Sequence, residues 1–283
     1  MEFQLLASSL ALAVICILPI AAKWQIKIRV AIIGAIVIGL VTAIVVSQVN
    51  SRFQLGLSVL LLIELLSISL IAGLAILLRF YRDPERYPPD EDGVILSPAD
   101  GEVLYTKRID SKDCLVATKG GKRIYLTEIV GVPWPFNNGY LVGISMNLLN
   151  VHVNRAPVSG KIALQKYTRG GFLSLRKPEA EVLNERMTTV IDGGGFQVAV
   201  VQIASRLVRA IVSYVKEGDR VKLGQRVGMI RFGSQVDLII SEMKDCRLTV
   251  RPGDKVTAGV SVIARYDTHG AQQGIGRNAN VRT

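Results

Sequence analysis

Three apolar runs at the start of the chain, Leu5 to Ala22, Val30 to Ser47 and Leu55 to Leu78, restrict the fold more than any other feature. Each approaches the ~20 residues that an α-helix needs to cross a bilayer core. Residues 1–79 therefore read as a membrane anchor of about three transmembrane helices. A cleaved signal peptide is the alternative for the first run, but that run lacks a basic leading region and two further spans follow it at once.

The loops between the runs predict an orientation. Lys23, Lys27 and Arg29 flank the first connection together with an interfacial Trp24, whereas the second carries only Arg52. Arg79, Arg82 and Arg86 follow the third run. Positive loops stay inside, so the first loop and everything after the anchor are expected on the cytoplasmic side of a multi-pass cell-membrane protein. Alternation across three spans gives the same side. Within the third run, Glu64 stands among leucines and isoleucines, and an intramembrane carboxyl of this kind faces a helix bundle or a functional cavity. A hydrogen-bonded packing contact is the reading favoured here over a catalytic one.

Charge is concentrated beyond the anchor. The chain carries a net +11, of which the first 79 residues supply only +3 and the remainder +8. Such a surplus suits an anionic surface, and beside a membrane anchor that surface is lipid headgroup, with plain solubility as the alternative. Nucleic acid is not expected as a partner: aromatic residues are 6% of the chain and do not interleave with basic ones. Cys16, Cys114 and Cys246 show no paired spacing, which fits a reducing compartment. With only two histidines in the chain, a Cys/His metal site is not expected.

From about Phe80 the texture becomes that of a β-rich domain, taken as residues 80–266, with a polar tail at 267–283 that reads as disordered. Short β-branched stretches at 93–96, 123–126, 140–145, 198–203 and 210–215 alternate with Gly, Pro and Asp turns. A short helix is expected at Pro178 to Arg186. An internal repeat sharpens the picture. Gly218-Asp219-x-Val221-x-x-Gly224-x-x-Val227 recurs 35 residues later as Gly253-Asp254-x-Val256-x-x-Gly259-x-x-Val262, and Pro98-x-x-Gly101-x-Val103 recurs as Pro157-x-x-Gly160-x-Ile162. The Gly-Asp form resembles the half-motif of lipoyl and biotinyl carrier domains, which implies a barrel-sandwich hybrid fold. The place of the carrier lysine is held by Arg231-Phe232-Gly233-Ser234-Gln235, and Glu242-Met243-Lys244 comes too late, so covalent biotin or lipoate is not expected.

Few side chains in this domain can do chemistry. Gly233-Ser234 alone is most simply a turn or bulge. His152 is the only histidine before the tail, in Asn150-Val151-His152-Val153-Asn154-Arg155, where strand alternation puts Asn150, His152 and Asn154 on one face. Asp100 precedes Gly101 and alone is an ordinary turn former. Their company changes the weight of all three. Phe80-Tyr81-Arg82-Asp83-Pro84-Glu85-Arg86, then Leu96-Ser97-Pro98-Ala99-Asp100-Gly101, then Val151 to Lys161, Leu183-Asn184-Glu185-Arg186, Tyr214 to Asp219 and Met229 to Ser234 stand in the order of the short-form phosphatidylserine decarboxylases, including the archaetidylserine enzymes, which the chain resembles from about Phe80 to Ala264.

That resemblance implies a zymogen. Asp100, His152 and Ser234 would form the set that cleaves the chain between Gly233 and Ser234, giving a large and a small chain and converting Ser234 into a covalent pyruvoyl group. His152 would take the Ser234 hydroxyl proton, with Asp100 holding the imidazole, while the hydroxyl attacks the Gly233 carbonyl. The implied activity is decarboxylation of a serine phospholipid, phosphatidylserine or its archaeal ether-lipid equivalent, with no metal. The chain departs from the family in three respects: longer members carry a second histidine where this chain has Arg155, Ser205 stands where the family has glycine after Gln202-Ile203-Ala204, and three spans exceed what the short form is expected to carry. The reading from another class is a non-catalytic membrane-anchored carrier or adaptor. A homo-oligomer is compatible with the sequence but not specified by it.

Overall fold

The computed structural model describes residues 2–24, 26–110, 115–119, 122–125, 130–131, 138–171, 184–204, 211–231 and 234–267. The chain divides into two compact units, residues 1–82 with 147–149, and residues 83–146 with 150–283.

The first unit is built from α1 (Glu2–Lys23), α2 (Ile28–Phe53) and α3 (Leu57–Phe80). All three are long and apolar enough to cross a membrane. The buried stripe of α2 is Ala31, Ala35, Gly39, Thr42, Ala43, Val46 and Asn50, small residues at helical spacing. At Gly39 the backbones of α1 and α2 approach closely: a methyl group there would lie 2.9 Å from Leu10 Cδ2 and 3.1 Å from Leu10 Cα. Side chains such as Ile15, Ile33, Leu62, Leu70 and Leu78 are exposed, as a hydrocarbon solvent allows. The fully buried Glu64 of α3 accepts hydrogen bonds from the Ser8 and Ser9 hydroxyls of α1, both at 2.8 Å. Its carboxyl is thus an interhelical contact.

The second unit is a β domain. Its first half contains β1 (Val94–Leu96), β2 (Gly101–Ile109), β3 (Leu115–Lys119), β4 (Lys122–Tyr125), β5 (Gly139–Met146) and β6 (Val153–Arg155). Then come β7 (Gly160–Thr168), β8 (Arg186–Asp192), β9 (Gln197–Ala204), β10 (Ile211–Ser213) and β11 (Arg220–Val221). The last are β12 (Arg226–Ile230), β13 (Ser234–Ser241), β14 (Arg247–Leu248), β15 (Lys255–Val256) and β16 (Val262–Arg265). Among the described residues, eight strands form an antiparallel sheet in the order β11-β7-β8-β9-β13-β5-β2-β15. Two three-stranded sheets, β1-β16-β14 and β10-β12-β6, contribute to one core with it through Ile95, Ile263, Val227 and Ile230, against Val142, Ile144, Val198, Val200, Val236, Leu238 and Ile240.

The repeats seen in the sequence occupy equivalent places. Asp254 O accepts from Val103 N at 2.9 Å, and Asp219 O accepts from Ile162 N at 2.8 Å. Asp254 and Asp219 each close their own turn with a carboxylate, taking the N–H of Arg251 at 2.8 Å and of Lys216 at 2.9 Å. Gly253 and Gly218 adopt φ of 94° and 93°, and Gly259 and Gly224 adopt 70° and 73°, conformations that a side chain would strain. The sheet order repeats accordingly, with β2-β15 at one edge and β7-β11 at the other.

The helix expected at 178–186 meets a correction at its end. Asn184 forms a bridge with Gly171, and Arg186 opens β8, because Arg186 pairs with Ile203 and Thr168 in the sheet. Residues 178–183 lie outside the described residues, as do Gly233, Ser205, Cys114 and the polar tail from 268 onward.

Candidate active site

Three stretches far apart in sequence are joined by hydrogen bonds around β6. The first is the turn before β2, where Pro98 O accepts from Arg155 N at 2.9 Å and from Asn154 Nδ2 at 3.2 Å. The second is the segment leading into β6, whose His152 O accepts from Ile230 N at 3.2 Å. The third is β12, which ends at Ile230, four residues before β13 opens at Ser234. Residue 234 itself pairs with Met146 of β5 on one side and Ala204 of β9 on the other. Position 234 is thus the first residue of a central strand of the sheet.

His152 is fully buried. Its Nδ1 lies 2.9 Å from Asn150 O, and since a carbonyl can only accept, Nδ1 carries the proton. In the neutral ring Nε2 then holds the lone pair, the state a general base needs. The group that orients the ring at Nδ1 is the Asn150 carbonyl. Asp100 meets the same turn one residue away, its Oδ2 accepting from Val151 N at 3.2 Å.

Asp100 collects four donors. Arg86 grips it with both terminal nitrogens, at 2.5 and 2.9 Å, and Ala258 N reaches Oδ1 at 2.9 Å. The pair is well covered, with side chains 8% and 11% exposed for Arg86 and Asp100. Arg86 also donates to Ala258 O at 2.8 Å, so a single guanidinium ties the carboxylate to the Ala258 turn. The internal repeat has a counterpart at the other edge, where Leu223 N donates to Ser159 Oγ at 2.8 Å. One repeat therefore carries a charged hub, and the other carries only a hydroxyl.

Arg155 is taken up by structure. Its Nη1 donates to Gly224 O at 3.0 Å, and its Nη2 donates to Pro84 O at 3.0 Å and Asp83 at 3.3 Å. Asp83 is also gripped by Arg226 at 2.5 Å, and Arg226 reaches Glu85 at 2.7 Å. These bonds fasten residues 83–86 onto the repeat. Burial lowers the pKa of Arg155, with Arg226 next in effect and Asp83 opposing, yet a guanidinium remains no proton carrier. Cys246 is a poor nucleophile, since burial pushes its thiol up to about 11. Among the described residues no cluster of His, Cys, Asp and Glu is arranged to hold a metal ion.

The family sequence pattern for phosphatidylserine decarboxylase matches residues 74–264, which spans both segments of the hub, the His152 turn and the whole of β13. The chain belongs to the phosphatidylserine decarboxylase family. A phosphatidylserine decarboxylase proenzyme of Pelodictyon phaeoclathratiforme is 40% identical over 201 residues, covering 70% of this chain and 84% of the relative. A provisionally named archaetidylserine decarboxylase proenzyme of Methanothermobacter thermautotrophicus is 36% identical over 210 residues, covering 71% and 86%. The Symbiobacterium thermophilum phosphatidylserine decarboxylase proenzyme is 37% identical over 199 residues, covering 70% and 82%.

Within this phosphatidylserine decarboxylase family chain, the sequence picked out Asp100, His152 and Ser234; Asp100 is bonded to the turn that carries His152, whose carbonyl accepts from Ile230, four residues before position 234. It did not pick out Arg86 as the partner of Asp100. Nor did it find the buried pair in which Gln202 Nε2 donates to Asn154 Oδ1 at 2.8 Å. Asn154 was visible only as a member of the His152 strand face. Gln202 carried a faint signal as the one polar residue in Val198-Ala199-Val200-Val201-Gln202-Ile203.

Proposed function

We propose that this protein is a zymogen that cleaves itself between Gly233 and Ser234 and then decarboxylates a serine phospholipid with a pyruvoyl group formed at position 234. The observation that carries this reading is that the Asp100 hub is bonded to the His152 turn, whose carbonyl accepts from Ile230, four residues before position 234. The substrate class is phosphatidylserine or the archaeal ether-lipid equivalent, in keeping with relatives named for both.

In the cleavage step, His152 Nε2 accepts the Ser234 hydroxyl proton, and the oxygen attacks the Gly233 carbonyl carbon. The acyl group moves from the nitrogen of residue 234 to its oxygen, giving an ester. Loss of the α-proton of residue 234 expels the Gly233 carboxylate, and one water then displaces ammonia from residue 234. The products are a chain ending at Gly233, a chain starting with the pyruvoyl, and ammonia. Asp100 keeps the 150–152 turn in place through the Val151 N–H.

Position 234 opens a central strand, paired with β5 and flanked by β9, so the rest of β13 stays in the sheet when the bond before it is cut. When present, the pyruvoyl supplies an electron sink for the carbanion left as carbon dioxide departs. The chain's own part is then to exclude water and to return a proton to the α-carbon, a task that falls to His152, the one histidine before the tail. With Arg155 engaged by Asp83, Pro84 and Gly224, one imidazole serves both steps. The paired Gly-Asp halves support a barrel-sandwich architecture, and the positive first loop supports three spans with the β domain on the cytoplasmic side of the membrane.

Protein purified in detergent should decarboxylate phosphatidylserine in mixed micelles with no added pyridoxal phosphate. Borohydride added with substrate should abolish turnover and leave a covalent adduct on the small chain. Activity that survived borohydride, or that required pyridoxal phosphate, would overturn the mechanism.

A further inference from the structure

β13 carries a second set of polar side chains, on the face turned away from the apolar core. Val236, Leu238 and Ile240 join the core, so alternation assigns Gln235 and Asp237 to the other face. Both are buried, Asp237 fully and Gln235 to 2% exposure. They meet Tyr105, two strands away on β2. Tyr105 Oη donates to the Asp237 carboxylate, lying 2.9 and 3.0 Å from its two oxygens. Gln235 Nε2 donates to Tyr105 Oη at 2.9 Å and to Asp237 Oδ1 at 2.8 Å, closing a triangle.

The reach of Tyr105 depends on one glycine. Tyr105 pairs with Gly143 of β5, and Gly143 pairs with Asp237 of β13, so the three positions form a row across the sheet. The tyrosine ring lies over Gly143, where a methyl group would come within 2.4 Å of ring Cζ and 2.7 Å of both Cε atoms. The row works only with glycine in the middle.

The ladder shows why such a brace matters here. Ala204 N donates to Glu185 O at 2.9 Å, and Ala204 O accepts from Asn184 Nδ2 at 2.8 Å, both away from β13. The Ala204–Ser234 pair is therefore the type that exchanges no backbone hydrogen bonds, and residue 234 exchanges its bonds with Met146 alone. Conversion of residue 234 to a ketone removes its N–H, leaving its carbonyl as the single backbone tie. The new end of the small chain would fray, as chain ends do.

We propose that Tyr105, Gln235 and Asp237 form a latch that holds the newly made end of the small chain in register once the chain has been cut. The inference rests on the cleavage reading above. These are positioning residues: they act through the backbone of β13 on position 234. In the precursor the intact bond to residue 233 holds the same strand, so the latch is redundant there.

The test compares amide exchange at residues 235–238 in the mature enzyme and in the uncleavable Ser234→Ala chain, each with and without Tyr105→Phe. Gly143→Ala serves as a second variant that displaces the ring without removing a polar group. Tyr105→Phe should cleave at the wild-type rate, lose at least tenfold in kcat with KM little changed, and lose exchange protection in the mature form only. Equal loss of protection in the uncleaved chain would reduce the triangle to ordinary sheet packing and overturn the latch. Unchanged exchange and turnover in both variants would overturn it too. A wild-type chain that never cleaves is a different result, and it would overturn the cleavage reading and the latch together.

Discussion

Replacing His152 with alanine should leave the precursor uncut, or slow its cleavage by about 10²–10⁴-fold, the usual contribution of a positioned proton carrier. The chain holds two histidines, and the other, His269, belongs to the polar tail. His152 is buried beside the segment that enters β13, and its proton is committed at Nδ1 to the Asn150 carbonyl. Arg155, three residues on, cannot substitute, because its guanidinium is fastened to Asp83, Pro84 and Gly224. A time course of precursor and products on denaturing gels reads the effect. Millimolar imidazole should restore part of the rate if the loss is one of base catalysis. Cleavage of His152→Ala at the wild-type rate would remove His152 from the mechanism.

Asp100→Ala should act in two separable ways. It leaves Arg86 as a buried cation without its counter-charge, and breaking one half of a buried pair costs about 3–5 kcal/mol. That is a large part of the ~5–15 kcal/mol by which a domain is stable. It also frees the Val151 N–H and loosens the His152 turn, slowing cleavage. Adding Arg86→Met to Asp100→Ala removes the stranded charge and should recover much of the stability, measured by thermal unfolding of the full chain in detergent. Cleavage should stay slow in the double variant. Recovery of cleavage along with stability would make Asp100 a salt-bridge partner and nothing more.

Much of this architecture was readable from residue pattern, because it rests on local rules. Runs of bilayer length gave the three helices. The Gly-Asp pairs marked turns that the fold indeed uses twice, since a φ near +90° admits little but glycine. Long-range order was not readable in the same way. Nothing local in Ser234-Gln235-Val236-Asp237 says that β13 inserts between β5 and β9, yet that placement decides what position 234 touches. The expected helix at 178–186 failed at its end because Arg186 gains more as the first residue of a paired strand than as the last of a short helix. Asp100 and His152 were singled out as members of a family pattern, while Arg86, the partner of Asp100, was not. An Arg in Asp83-Pro84-Glu85-Arg86 gives no sign of reaching across to residue 100. The alternation of Gln235 and Asp237 in an otherwise apolar strand was a usable signal for the latch, and it pointed to the face opposite the chemistry.

The central claim, that the chain cuts itself at residue 234, is tested most directly by the intact mass of the denatured protein purified from membranes. The account predicts two chains, residues 1–233 and residues 234–283, the smaller near ~5–6 kDa at ordinary mean residue mass. The smaller should be lighter, by the mass of one ammonia, than a peptide beginning with serine, and Ser234→Ala should give one chain of 283 residues. A single full-length mass from wild-type protein that decarboxylates its lipid would contradict the account.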